Sequence, residues 1–367
     1  MARVSVRILH LEPGSDGGSL GCWLADARTG LAKRHSQAFR AAGADDIRVL
    51  SGPPDDMTFG ARLRSIVEAA HPEGLVVLGS GAIPLATPRD ILAFVEGASR
   101  DQPYALANNR YSADVVAISR AEAIAAMPDL PSDNALPRWL EEVAGYEVAD
   151  LRGRWRLAVD LDSPLDAVLS EAPAPNPPFD PAVLRDRMRA VAAVAWNRRA
   201  ELILAGRTSA STLVWLERHT AARVRAIVEE RGLRAGSALA LAKDSGSRPP
   251  GRPPRSILGM ILDRDGPGSI GRHLAQLGDG AVIDTRVLLA HRLGVDERGW
   301  PPPEERFASD LLVPDRIADP WLRELTAAAL HAPIPILLGG HSLVGPGIRL
   351  LLGSNTARRQ GTTSRIG

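Results

Sequence analysis

Two aspartates one residue apart, Asp160 and Asp162, stand in the run Arg156-Leu-Ala-Val-Asp-Leu-Asp-Ser-Pro-Leu-Asp166. The apolar residues before them read as a buried strand, and positions i and i+2 of a strand lie on one side. Two carboxylates at the carboxyl end of a sheet suit a hard cation such as Mg2+, which in turn holds phosphates. A plainer reading has Asp160 satisfied by backbone while Asp162 and Ser163 cap a helix opened by Ser163-Pro164. Spacing alone leaves both open. Upstream, the glycine-rich stretch Gly14 to Gly21 offers N–H groups, at Gly17 and Gly18 above all, that could cradle phosphate. Asp16 would repel that phosphate, and the nearby cations are Arg28, Lys33 and Arg34.

The second half carries a separate set. Leu337-Leu-Gly-Gly-His341-Ser342-Leu-Val-Gly345 places a histidine and a serine after a Gly-Gly strand end. A nucleophile elbow needs glycine where Val344 stands, and no histidine follows His341 to complete a triad. A pocket for an anion, with Arg286 and Arg306 beside His341, is the chemical alternative to a tight turn. Asp284, Arg286, Arg306 and Asp310 lie in apolar context, where burial is costly unless charges pair. Asp284–Arg306 or Arg286–Asp310 pairs are the simplest expectation.

The elements that must position these residues alternate in residues 1–171. Val4 to Leu11 reads as a first strand rather than a cleaved leader, and a helix follows from about Trp23 to Ala42. Leu75 to Leu78 is apolar enough for a strand buried on both faces, and Thr87-Pro88 opens a helix. The expected class is α/β: a mostly parallel, Rossmann-like sheet flanked by helices, then a helical and mixed α/β second domain. The proline-rich segment 172–180 reads as a stiff linker with few side-chain contacts to either core. Residues 181–353 form the second domain, strongly helical over 181–235 and mixed from 256. Ser245 to Pro254 reads as a loop, and 354–367 as a structureless tail.

Of 367 residues 45% are hydrophobic and 24% charged, which is ordinary globular composition. A balance of 44 basic against 43 acidic residues leaves no overall footprint for nucleic acid or a membrane surface. Lys33 and Lys243 are the only lysines, so the arginine clusters reflect the composition of a GC-rich genome more than function. One cysteine, Cys22, excludes a disulfide framework and a cysteine-based zinc site. No apolar run approaches the ~20 residues a membrane helix needs, so a cytoplasmic protein is expected.

The Asp160-Leu-Asp-Ser-Pro-Leu-Asp166 run resembles the D-I-D-T-P-E-D-L signature of small nucleotidyltransferases, the molybdenum-cofactor and 2-phospholactate guanylyltransferase type. Ala41 to Gly52 is similar to that family's second strand, and Leu75 to Pro88 to its "vlvl..D.Pl.tp" strand and helix. Asn108-Asn-Arg-Tyr-Ser-Ala-Asp114 resembles a loop on the nucleotide or substrate side. The resemblance covers residues 3–171. It implies a GT-A-like fold and transfer of a nucleoside monophosphate from an NTP to a phosphorylated or cofactor-precursor acceptor. In that reading Asp160 and Asp162 hold Mg2+, with Asp114 as a further carboxylate. Asp160 and Lys33 act in catalysis, Gly17 and Gly18 hold phosphates, and Ser80, Asn108 and Asn109 line the nucleotide or acceptor site. Where the family has a metal-binding aspartate, this chain has Ala82. Loss of that carboxylate implies the alternative of a catalytically degenerate nucleotide-binding protein. A third reading places a different activity in the second domain.

Overall fold

The computed structural model describes residues 2–14, 17–130, 133–172, 174–229, 255–294 and 296–353. The expected loop at Ser245 to Pro254, the tail 354–367 and the Ser15-Asp16 pair lie outside them.

Residues up to 150 build a six-stranded sheet: β1 (Val4–Leu11), β2 (Asp46–Gly52), β3 (Gly74–Gly79), β4 (Tyr104–Ala107), β5 (Val115–Ile118) and β6 (Glu147–Asp150). Its order is β2-β1-β3-β5-β4-β6, with β5 antiparallel to both neighbours and the other pairings parallel. Every residue from Gly74 to Leu78 is buried, as a central strand covered on both faces requires. Helices α1 (Gly18–Ala41), α2 (Phe59–Ala70), α3 (Pro88–Ala98) and α4 (Leu136–Glu142) cover the faces. This is an α/β arrangement, a parallel-dominated sheet flanked by helices. Thr87 and Asp90 form a reciprocal capping box at α3, and Ser163 and Asp166 form another at α5 (Pro164–Leu169).

A second, all-parallel sheet of four strands follows, ordered β10-β9-β7-β8. Its strands are β7 (Glu201–Gly206), β8 (Arg223–Val228), β9 (Gly280–Asp284) and β10 (Ile336–Gly339). Around it pack α6 (Pro181–Ala195), α7 (Ala210–His219), α8 (Ile257–Asp265), α9 (Ile270–Ala275), α10 (Thr285–Leu293), α11 (Pro303–Asp310), α12 (Pro320–Leu330), α13 (His341–Val344) and α14 (Gly347–Gly353). The expectation of a helical 181–235 is corrected here. Leu202 to Gly206 is buried inside the sheet, while β8 is an edge strand whose Arg223 and Arg225 pair with Glu201. Arg and Glu interleaving had imitated a helix pattern.

The proline-rich segment also differs from expectation. Ala172, Ala174 and Phe179 pack with Trp23, Leu24 and Leu31 of α1. The Trp23 indole N–H donates to the Pro175 carbonyl at 3.1 Å, and its ring meets Phe179 edge-on at 5.5 Å. Leu20 of α1 and Leu165 and Leu169 of α5 belong to the apolar core of the second sheet. The segment therefore runs along a packed junction instead of spanning a gap. Among the described residues no helix is long and apolar enough to cross a membrane.

Candidate functional site

Residues 155–158 form a 3-10 turn, and Asp160 makes a single antiparallel bridge with Ala82. The expected strand into Asp160 is therefore absent. Leu157 is its buried anchor, while Arg154 and Arg156 turn to the buried Asp90 at 2.7 and 3.9 Å. An acid enclosed at the start of α3 needs cations, and that demand breaks the apolar run. The bridge is fixed from both sides. Leu161 N–H donates to the Gly81 carbonyl at 3.0 Å, and His35 Nε2 donates to the Ala82 carbonyl at 2.8 Å.

Ala82 is thus the backbone neighbour of Asp160, but its methyl belongs to the apolar cluster of Val6, Ile8, Val76 and Leu78. The missing side chain that would face Asp160 is that of Gly81, whose Cβ would lie 2.9 Å from Asp160 Oδ1. This overturns the expectation that position 82 opens onto the carboxylates. Ala82→Asp is expected to cost about 2 kcal/mol of stability, since it buries a polar group among apolar neighbours. Titration of the variant with Mg2+ should show no gain in affinity.

Five aspartates act on one another across this region: Asp114, Asp133, Asp160, Asp162 and Asp166. Burial chiefly lifts the Asp160 carboxyl well above the usual range, helped by the charges of Asp162 and Asp114 and by a hydrogen bond to Asp162. Asp114 is pushed up to about 7 by burial, against its hydrogen bond from Asn108 and with Asp133 and Asp162 adding to it. Burial also raises Asp133. Arg28 is the cation that opposes the effect at Asp160, and its Nε and Nη2 already donate to the Leu161 carbonyl at 2.8 and 2.6 Å. The carboxylates are therefore undercompensated. Asp160 and Asp162 together suit Mg2+, which takes one or two protein carboxylates and keeps waters or substrate phosphates as its other ligands. Among the described residues no group of three His, Cys, Asp or Glu is arranged to hold a metal.

The other nucleotide-side candidates divide. Ser80 Oγ hydrogen-bonds His10 Nδ1 at 3.0 Å at the ends of β3 and β1, and His10 Nε2 meets Thr29 Oγ1 at 3.3 Å. His10 escaped sequence reasoning because one histidine in an apolar strand carries no pattern. Asn108 is 2% exposed and spends both ends of its amide internally, on Asp114, Val115 and the Leu157 carbonyl. It orients Asp114 and has no group left for a ligand. Asn109 accepts from Tyr111 N–H. Lys33 is exposed, and Arg28 is the cation at the carboxylates instead.

Gly17 and Gly18 are not at the carboxylates. They open α1, whose rise of ~1.5 Å per residue puts them about 15 Å along the helix from Arg28. Their anion site is filled from within the chain. The Glu304 carboxylate of α11 accepts from Leu20 N–H at 2.9 Å and Gly21 N–H at 3.2 Å, and Arg316 pairs with it at 2.6 Å. Gly18 has φ +62, and a Cβ there would stand 2.3 Å from Glu304 Cδ. Helix α1 has no cap from its own N-cap residue and no acid in its first turn. Glu304 supplies both. Glu304→Ala is expected to cost about 1–2 kcal/mol in denaturant unfolding, as loss of a helix cap does. Amide exchange at Leu20 and Gly21 should quicken with it.

In the second unit Arg286 forks onto Asp310, with both bonds at 2.6 Å, as one of the two expected pairs. Asp284 pairs instead with Arg207 at 2.7 Å, across the β7 and β9 ends. Arg306 is turned to Glu297 at 2.7 Å and to the Trp300 ring. That leaves Arg286 and His341 of the three candidates at the strand ends. His341 Nδ1 lies 4.0 Å from Asp162 Oδ2, so the second unit reaches the carboxylates.

No protein-family description and no curated protein matches the chain. Among solved structures it is similar to a protein of Desulfovibrio desulfuricans G20 named as a nucleotide-diphospho-sugar transferase. The identity is 14% and the TM-score 0.32, over 41% of this chain and 80% of that one.

Proposed function

We propose that the first unit binds an NTP with Mg2+ at the carboxyl ends of β1 and β3 and transfers its nucleoside monophosphate to a small acceptor. The observation that carries this reading is the undercompensated pair Asp160 and Asp162, with Asp114 beside it. Mg2+ bound there would neutralise phosphate charge as pyrophosphate leaves. Asp160 and Asp162 would hold the ion, and Asn108 fixes Asp114 through its amide. His35 and Gly81 hold the backbone that presents Asp160. An oxygen of the acceptor attacks the α-phosphorus, the bond to the pyrophosphate oxygen breaks, and the acceptor proton leaves to solvent or a carboxylate. Neither a nucleic-acid nor a membrane partner enters this scheme, and the protein would work in the cytoplasm.

A second reading, a nucleotide-binding protein without turnover, is favoured by the Glu304 carboxylate at the start of α1 and by Ala82 in the core. One experiment separates them: thermal shifts with each NTP, with and without Mg2+, alongside pyrophosphate release. A ligand at 100 times its dissociation constant stabilises by about 2.7 kcal/mol. Asp160→Asn should abolish Mg2+-dependent release while the protein stays folded. Binding without release leaves the second reading. No Mg2+-dependent shift with any NTP ends the first reading, and no shift with any NTP, with or without Mg2+, ends both.

A further inference from the structure

The chain leaves β7 toward β8 on one side of the second sheet, and leaves β9 toward β10 on the other. In open parallel sheets, ligands bind outside the strand ends where such a reversal opens a crevice. Here Gly206, at φ +129, lets Asp284 close against the backbone, where a Cβ would stand 2.2 Å from Asp284 Cβ. Asp284 then accepts from Arg207 N–H and Arg286 N–H and ties the loops after β7 and β9 together. The third loop, Gly339-Gly340-His341-Ser342, faces Asp162 through His341.

Two observations mark this crevice as more than a junction. The Ser342 hydroxyl, on a side chain 4% exposed, and the Thr208 hydroxyl, on one fully buried, have no hydrogen-bond partner among the described residues. Leaving such groups unpaired costs free energy that a ligand can recover. At Gly340 a Cβ would meet nothing nearer than Arg286 Nε, at 4.0 Å. Arg286 spends its terminal nitrogens on Asp310 and Thr285, and no hydrogen bond engages its Nε among the described residues.

We propose that Gly340, His341, Ser342 and Arg286 form an oxyanion cradle that takes the phosphate or carboxylate head of a small acceptor and presents it to the Asp160–Asp162 pair. The Ser342 hydroxyl and the Arg286 Nε–H are donors without a partner among the described residues, and Gly340 leaves open space beside Arg286, which suits an anion of few atoms. The acceptor role rests on the nucleotidyltransferase reading. The cradle itself does not.

The test therefore uses the full chain without nucleotide or metal. Inorganic phosphate and acetate are titrated separately while the backbone amides are followed by NMR. Shifts are expected at residues 339–342. Phosphate alone producing them identifies a phosphate head, and acetate alone a carboxylate head. Ser342→Ala should weaken the effective probe about tenfold without lowering stability, since the lost hydroxyl has no protein partner. Gly340→Asp, where φ is −98 and a Cβ has room, supplies its own carboxylate and should abolish binding. The cradle is overturned if neither probe shifts these amides, or if both variants bind as the wild type does. Should the cradle hold while Mg2+ and NTP fail to bind, it is an anion site, and the acceptor role falls with the nucleotidyltransferase reading.

Discussion

Replacing Asp310 with asparagine is expected to remove about 3–5 kcal/mol of stability, because it strands the Arg286 guanidinium as a buried charge. Arg286 and Asp310 meet through two bonds of 2.6 Å, and the Asp310 side chain is wholly enclosed. Burial works against the Arg286 charge, yet Asp310 and Asp284 hold its pKa above the ordinary value. At Asp310 burial wins, lifting the carboxyl despite Arg286 and Arg306. Each ion thus depends on the other for solvation that water no longer provides. Urea unfolding of Asp310→Asn should show the loss as a lower midpoint at unchanged slope. The double replacement Arg286→Met with Asp310→Leu should recover most of it, since well-packed apolar residues of similar volume replace such pairs at little cost. A double variant as unstable as the single one would show that the pair aligns α10 and α11 by directional bonds that packing cannot replace.

That pair was legible in the sequence because both residues sit among apolar neighbours, where a charge has to find its opposite. The capping boxes at Thr87 and Ser163 and the buried run at β3 were legible for a related reason: each is a local pattern with a single good local solution. What escaped were features decided by distant chain. Glu304 caps α1 from 284 positions away from Leu20, and nothing near Gly18 announces it. The strand expected before Asp160 yielded to Asp90, which draws Arg154 from 64 positions off. Asp160 and Asp162 were found from their spacing, but the face each presents was not. Ala82 shows the same limit, since a backbone bridge to Asp160 and a methyl in the core are compatible only in three dimensions.

The pH dependence of stability carries the other large effect, through His35. Its side chain is 3% exposed, lies edge-on to Phe39, and donates from Nε2 to the Ala82 carbonyl. A carbonyl can only accept, so Nε2 carries the proton and the neutral ring is satisfied. Burial pushes its pKa from 6.5 down to about 4, with the Arg34 charge adding to the fall and the Ala82 bond opposing it. Between those values the unfolded chain binds a proton that the folded one refuses. The contribution of neutral His35 is therefore complete above pH 6.5 and is lost as pH falls toward 4, about 3 kcal/mol in all. Asp114 and Asp166 slope the other way. Burial raises them to about 7 and about 8, so their folded forms keep protons, and stability is lost as pH rises from 3.8 through those values. The wild-type curve mixes both slopes, and His35→Gln separates them, because glutamine retains an amide donor for Ala82 and does not titrate. The stability difference between wild type and His35→Gln, measured in urea from pH 7.5 to 4.5, should shift by about 2–3 kcal/mol toward the variant as the acid is added. Two parallel curves would mean that His35 takes up its proton freely in the folded protein. The backbone that presents Asp160 would then not be held by a buried neutral imidazole.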